Sequence, residues 1–81
     1  MVPANQIRRL GALWAIVAID GATLFRSIDR NRLIAEAREL ARPDDGQVHV
    51  YDCDGGLEVV YAFNDGIESV ERHIRPRLSH D

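Results

Sequence analysis

The sequence contains a single cysteine, no lysine and no apolar run long enough to cross a membrane. With Cys53 as the only thiol among 81 residues, the chain cannot form an internal disulfide, which is typical of proteins from a reducing compartment. The longest apolar run, 10–19, is about half of the roughly 20 residues that a membrane-spanning helix needs. Asp20 and Gly21 follow this run at once without a cleavage pattern, so a secretory signal peptide is not expected. We therefore expect a cytoplasmic protein that does not enter the membrane.

Motifs for catalysis and for cofactor binding are also missing. The chain has no glycine-rich phosphate loop, no HExxH and no G-x-S-x-G. Its three histidines, His49, His73 and His80, lack the close pairing of zinc ligands. Cys53 stands between two aspartates, whose charges disfavour the reactive thiolate. The sequence predicts no enzyme, no cofactor and no metal site.

The length predicts a single domain over residues 1–81. A domain of this size buries only about 60% of the surface of its unfolded chain, so dimerisation would add useful stability. Residues 1–11 are expected to form a flexible arm or a lead-in to the first strand, and residues 77–81 a frayed tail.

The first half of the chain predicts a hairpin followed by a helix. Residues 13–19 and 22–28 are two short strands, and Asp20-Gly21 between them suits a two-residue type I′ turn. The first strand is apolar on both faces and is expected to lie centrally in the sheet. The helix follows from a 3.6-residue apolar stripe, capped at its start by a short polar side chain and ended by Pro43. The stripe consists of Leu33, Ile34, Ala37, Leu40 and Ala41, and the candidate caps are Ser27, Asp29 and Asn31.

The second half predicts another hairpin and another helix. Strands at 48–51 and 57–63 flank a turn at Asp54-Gly55-Gly56. A last helix is expected from Asp65, with a stripe of Ile67, Val70 and Ile74 and an end at Pro76. The predicted fold is α+β with the order ββαββα: a four-stranded antiparallel sheet built from two hairpins, with both helices packed on one face.

This pattern resembles a group of short bacterial proteins of uncharacterised function with a ββαββ layout, over residues 13–66. The shared features are Trp14-Ala15-Ile16-Val17, Gly21, Phe25, the helix pattern over 34–41, Val48-His49-Val50 and Asp54-Gly55. The chain departs from the group in its acidic balance and in the additional C-terminal helix. Because the group has no established activity, the resemblance implies a fold and no function.

Charge is distributed unevenly along the chain. Residues 1–42 hold seven arginines against four acids, whereas residues 43–81 hold three arginines against nine acids. Residues 43–71 contain eight acids and no arginine. Such segregation bears on the choice of partners and on association rates, not on the fold.

The string 52–58 has acids spaced faintly like those of a calcium loop. A calcium loop of the EF-hand type needs about twelve residues between two helices, whereas this string lies between two predicted strands. We therefore interpret it as a hairpin turn. The acids of this region, with two tyrosines nearby, are the predicted partner-binding residues: Asp44, Asp45, Asp52, Asp54, Glu58, Tyr51 and Tyr61.

The leading hypothesis is a small non-enzymatic protein-binding or regulatory module that self-associates as a homodimer and uses the second hairpin and the strand edges. A basic protein surface would complement the acidic stretch. The first alternative is an acidic inhibitor or decoy of a nucleic-acid-binding machine, of the kind found in bacteria or phage. The second is a weak nucleic-acid binder acting through its arginines, which the pI near 5.5 and the acids interleaved on the helix disfavour.

Overall fold

The computed structural model describes residues 4–73, which form a mixed six-stranded sheet with one α-helix on one face. The strands are β1 (Ala4–Leu10), β2 (Leu13–Val17), β3 (Thr23–Ser27), β4 (Gln47–Tyr51), β5 (Leu57–Asn64) and β6 (Ile67–Arg72). The helix α1 (Arg30–Ala41) runs into a 3₁₀ turn, Arg42–Asp44. The strand order is β3-β2-β1-β4-β5-β6, in which β1 and β4 are parallel and all other neighbours are antiparallel. The predicted four-stranded antiparallel sheet with two helices is therefore wrong, although the α+β class holds.

The first correction concerns the N-terminal residues. Most of the segment expected to be an arm or lead-in is strand β1, which lies in the middle of the sheet between β2 and β4. Ile7 on this strand is fully buried and pairs with Ile16 on one side and Val50 on the other. The sequence does not predict β1 as a strand, because Ile7 is surrounded by polar residues and a single buried apolar position gives little alternation of apolar and polar residues.

The second correction concerns the C-terminal helix. Residues 67–72 form strand β6, which pairs with β5 from Asn64–Ile67 to Val59–Arg72. Asp65 and Gly66 both have positive φ, at 53° and 79°, which is the conformation of a two-residue hairpin turn. The turn reverses the chain and lets β6 satisfy the outer backbone groups of β5. Ile74 and Pro76, on which the predicted helix also relies, lie outside the described residues.

The first hairpin is present, but its turn is longer than predicted. Strand β2 ends at Val17 and β3 begins at Thr23, so five residues connect them. Gly21 has a φ of 91°, while Asp20 does not enter the positive-φ region and instead accepts a hydrogen bond from the Ala22 backbone through Oδ1. The predicted two-residue type I′ turn at Asp20-Gly21 is therefore wrong.

The helix and its cap agree with the sequence. Asp29 is the N-cap, and its Oδ1 accepts a hydrogen bond from the Arg32 backbone N–H. Leu33, Ala37 and Ala41 are buried against the sheet, and Ile34 is partly buried beside them. Leu40, by contrast, is 43% exposed, so the contact stripe is narrower than predicted.

The core lies between α1 and the inner strands. Its buried residues are Ile7, Ile16, Leu33, Ala37, Ala41, Val48, Val50, Val59 and Phe63. The two outermost strands, β3 and β6, contribute no buried residue to it. The helix among residues 4–73 is too short and too polar to cross a bilayer.

Candidate interaction edge at strand β3

Two strands end the sheet, and each has only one neighbour. Strand β3 pairs only with β2, and β6 pairs only with β5. An edge strand presents unpaired backbone N–H and C=O groups that another extended segment can bind. Both edges are therefore candidate binding sites, and their side chains distinguish them.

Strand β6 carries more charged side chains than β3, and these protect its edge from the addition of another strand. Three of the six residues of β6 are charged (Glu68, Glu71 and Arg72), and charged side chains on an edge disfavour strand addition. Strand β3 carries one charge, Arg26, among five residues. The β3 edge is therefore the more receptive of the two.

Four exposed apolar side chains lie on β3 or in the segments that flank it, whereas β6 carries two, Ile67 and Val70. Leu24 and Phe25 on the strand are 45% and 50% exposed. Ile19, in the turn before the strand, is 61% exposed, and Ile28, directly after it, is 81% exposed. We call these four residues, which lie on the strand and in the segments before and after it, the β3 apolar edge. Their exposure costs hydration free energy that a bound partner would recover.

Phe25 also borders a groove of about 250 Å³ between β3 and α1. Leu33 contributes to the groove from the buried face of the helix, and Arg32 and Glu36 line its outer side. The register with β2 steps from Ile16–Phe25 to Val17–Thr23, so Leu24 has no partner and forms a β-bulge. The bulge and the groove leave room beside Phe25 for another side chain.

The aromatic rings show how unusual Phe25 is within this chain. Four of the five aromatic residues have an arginine guanidinium over the ring, at 4.0–4.9 Å from its centroid: Arg8 over Tyr51, Arg30 over Trp14, Arg38 over Tyr61 and Arg42 over Phe63. Such cation–π contacts cover the ring and fix the arginine. Among residues 4–73, Phe25 is the one aromatic side chain without such a cover. The Phe25 ring can therefore contact a binding partner without displacing an arginine.

The arginines that cover rings also form ion pairs. Arg38 donates from Nε and Nη2 to the two carboxylate oxygens of Glu68, both at 2.7 Å. This hydrogen bonding, with the nearby negative charge, raises the pKa of the Arg38 guanidinium, so it stays protonated. Arg30 pairs with Glu58 and also donates to the Tyr51 carbonyl at 3.2 Å.

Two arginines remain without such engagement near the β3 apolar edge. Neither Arg26 nor Arg32 has a described ion pair or ring contact for its guanidinium. Glu36, one helical turn from Arg32, likewise has no described ion pair. The edge therefore offers groups of both signs around an apolar centre.

The predicted acidic residues divide between the two ends of the second hairpin. Asp44 and Asp45 precede β4, while Asp52 and Asp54 follow it. Strand β4, which has five residues and is about 17 Å long, lies between the two groups, so they stand at its opposite ends. The fold does not bring them into one cluster.

Several of these acids hold the local structure. Oδ1 of Asp52 accepts from the backbone N–H groups of Asp54 and Gly56, both at 2.9 Å, which shapes the β4–β5 turn. Oδ1 of Asp45 accepts from the Asp65 backbone N–H at 3.0 Å. The Glu58 carboxylate pairs with an arginine of α1. Asp44 and Asp54 are exposed and have no described side-chain contact.

The two predicted tyrosines lie on opposite faces. Tyr61 packs against the core on the helix side. Tyr51 pairs with Leu57, where a register shift follows the Val50–Val59 pair, and its ring borders a concavity together with Arg8 and Asp52. The rings are both covered by arginines, so they do not form a shared exposed aromatic patch.

Residues with catalytic or metal-binding chemistry do not converge. Cys53 is exposed in the β4–β5 turn, while His49 lines a separate concavity of about 390 Å³ on the sheet face away from α1. His49 Nε2 lies 2.8 Å from Oε1 of Gln47. Among residues 4–73, no group of three or more His, Cys, Asp or Glu side chains is placed to hold a metal ion.

The sequence alone does not reveal the β3 apolar edge. Leu24, Phe25 and Ile28 lie in a predicted strand, but an apolar residue on a strand normally predicts burial. Their exposure follows from the position of β3 at the end of the sheet, which requires the strand order. Comparison with known proteins returns no match to this chain, whether with protein-family models, with curated proteins or with solved structures.

Proposed function

We propose that the protein is a binding module without catalysis of its own, which holds an extended segment of a protein along the free edge of β3. The observation that carries the proposal is the uncovered, half-exposed ring of Phe25 on the less charged edge of the sheet. In strand addition, backbone hydrogen bonds supply affinity and pockets for alternate side chains supply specificity. The groove beside Phe25 is such a pocket.

The engagement of the arginines supports protein binding over nucleic-acid binding. Arg30, Arg38 and Arg42 pair with carboxylates of this chain and cover its own rings. A nucleic-acid surface needs a concentrated set of arginines free to reach phosphates. Titration with DNA and RNA at two salt concentrations tests this alternative, which requires salt-sensitive binding.

The experiment that tests the proposed edge is affinity capture from a native lysate with matched variants. Phe25→Lys places a charge at the centre of the β3 apolar edge, while Ile67→Lys places the same charge on β6, where Ile67 is 72% exposed. We expect the captured protein to be lost with Phe25→Lys and retained with Ile67→Lys. Retention by Phe25→Lys, with loss by Ile67→Lys, would contradict the proposal and move the site to β6.

The acidic ends of the second hairpin are the second candidate surface. Asp44 and Asp54 favour it, because their carboxylates are exposed and make no described side-chain contact. A basic protein, including one that the chain inhibits by imitating nucleic acid, would bind there. The combined variant Asp44→Asn, Asp52→Asn and Asp54→Asn removes the charge, while the amide introduced by Asp52→Asn keeps an acceptor oxygen for the turn. Loss of capture in this variant alone would support the acidic surface.

A further inference from the structure

We infer that the segment that binds along β3 is β3 of a second copy, so that two chains join their sheets edge to edge in an antiparallel, two-fold arrangement centred on Phe25. This inference rests on the proposed binding edge and names its occupant. The fold itself supplies an extended segment with the right chemistry, because the same apolar edge occurs on every copy.

A two-fold axis restricts the possible registers. When two identical antiparallel strands pair about a two-fold axis, the residue on the axis faces itself and its neighbours face each other in reverse order. Centring the pair on Arg26 would set two guanidinium groups directly opposite each other, and like charges in that position destabilise a strand pair. Centring it on Leu24 would place the β-bulge on the axis.

The register centred on Phe25 gives a compatible pair at each position of the strand. Phe25 faces Phe25, an aromatic pair of the kind that stabilises cross-strand contacts. Thr23 faces Ser27, which pairs two hydroxyl side chains. Leu24 faces Arg26, whose alkyl stem packs on apolar surface while its charge stays in water.

Just beyond the strand ends, the same alignment brings apolar residues of the two copies together. Ile28 faces Ala22, and Ile19 lies at the same end, so the most exposed apolar residue gains apolar neighbours. The Asp29 carboxylate at that end is bound to the Arg32 backbone as the helix cap.

The other free edge does not offer an equivalent partner. Pairing β3 with β6 of a second copy would leave a β3 and a β6 edge open at the two ends, so further copies would add to form a ring or an open filament. The charges of Glu68, Glu71 and Arg72 on β6 oppose that addition. Pairing β3 with itself consumes the receptive edge of both copies and closes the assembly.

Sedimentation or light scattering over a several-hundred-fold range of protein concentration tests the inference. A pair of five-residue strands makes a small interface, so we expect a reversible dimer of twice 9.1 kDa that dissociates on dilution. Phe25→Lys is expected to raise the dissociation constant at least about tenfold, since a central aromatic is a typical hot spot. Ile67→Lys, at the other edge, is expected to leave it unchanged.

A cross-linking experiment tests the register without relying on Phe25. In a Cys53→Ser background, Leu24→Cys chains are mixed with Arg26→Cys chains and oxidised. Directly opposed Cα atoms lie about 4.5–5.5 Å apart in an antiparallel pair, within the range of a disulfide. We expect the mixed sample to form a disulfide heterodimer in greater yield than either variant alone.

The outcomes separate the inference from the function on which it rests. A wild-type chain that stays monomeric at every concentration overturns the second copy as occupant, while lysate capture lost with Phe25→Lys still supports the edge as a binding site. A dimer broken by Ile67→Lys but not by Phe25→Lys overturns β3 as the dimer interface, and capture with the same two variants then decides the proposed function. A dimer broken by Phe25→Lys, with the mixed disulfide formed, supports both.

Discussion

Arg38 on the helix and Glu68 on the outermost strand are joined by two parallel hydrogen bonds of 2.7 Å. This bidentate pair connects α1 to β6, a strand that contributes no buried residue to the core. Because β6 lacks core contacts, the pair and the backbone ladder with β5 hold the strand in place. Bidentate pairs of this kind, with a charged donor and a charged acceptor, are among the strong hydrogen bonds of proteins.

Replacing Glu68 with Gln should therefore loosen β6. The amide keeps the shape of the carboxylate but loses its charge, so we expect a decrease of about 1 kcal/mol in the free energy of unfolding, limited by partial exposure of the pair. Denaturation by urea, followed through Trp14 fluorescence, measures the change. Glu71→Gln on the same strand is the control, since the Glu71 side chain is largely exposed and should cost less than about 0.5 kcal/mol. Equal effects of the two variants would contradict this role for Arg38 and Glu68.

The helix stripe provides a second matched pair. Leu33 is 3% exposed and packs in the core, whereas Leu40 on the same helix is 43% exposed. Leu33→Ala should cost about 2–5 kcal/mol through lost burial and a residual cavity, which is enough to unfold much of a small domain. Leu40→Ala should cost less than about 1 kcal/mol. Circular dichroism during thermal denaturation measures the stability of both variants. A larger loss for Leu40→Ala than for Leu33→Ala would contradict the packing of α1, because Leu33 would then not be on the face that contacts the sheet.

The sequence predicts correctly the elements whose residues carry a strong local signal. The helix over 33–41 has an apolar period, of which Leu33, Ala37 and Ala41 are buried, and Asp29, one of its three candidate caps, is the N-cap. The second hairpin combines alternation along β4 and β5 with a glycine turn, and it is present. These features form between residues that are close in sequence, so local preferences are enough to predict them.

The missed elements depend on contacts distant in sequence. Strand β1 is recognisable only once β2 and β4 are known to cover both its sides, since Ile7 is its one buried residue. Two Asp-Gly pairs differ from their predictions: Asp20-Gly21 belongs to a five-residue connection and not to a two-residue turn, and Asp65-Gly66 is a tight hairpin turn and not the start of a helix. The β3 apolar edge could not be predicted, because exposure of Phe25 follows from the strand order alone.

Gly66 tests the turn that stands in place of the predicted helix. Its φ is 79°, and an added Cβ would meet no atom within 4 Å, so the cost of Gly66→Ala is conformational rather than steric crowding by neighbours. We expect a loss of about 1 kcal/mol, whereas in a helix the same substitution would stabilise by a similar amount. Urea denaturation shows whether Gly66→Ala lowers or raises the free energy of unfolding. Asp65→Asn is the control, because asparagine tolerates positive φ and should leave stability unchanged. Stabilisation by Gly66→Ala would contradict the hairpin.

Asp52 and Asp54 separate a structural role from a binding role among the predicted acids. Oδ1 of Asp52 accepts two backbone hydrogen bonds within the β4–β5 turn, whereas the Asp54 carboxylate has no described contact. Asp52→Ala should lower the free energy of unfolding by about 1–2 kcal/mol, since two turn N–H groups lose their acceptor. Asp54→Ala should change it by less than about 0.5 kcal/mol. If Asp54→Ala nevertheless abolishes capture of a partner while the fold is intact, the acidic end of the hairpin binds that partner. If only Asp52→Ala reduces capture, and in proportion to the unfolded fraction, the acids serve the turn and the β3 apolar edge remains the binding surface.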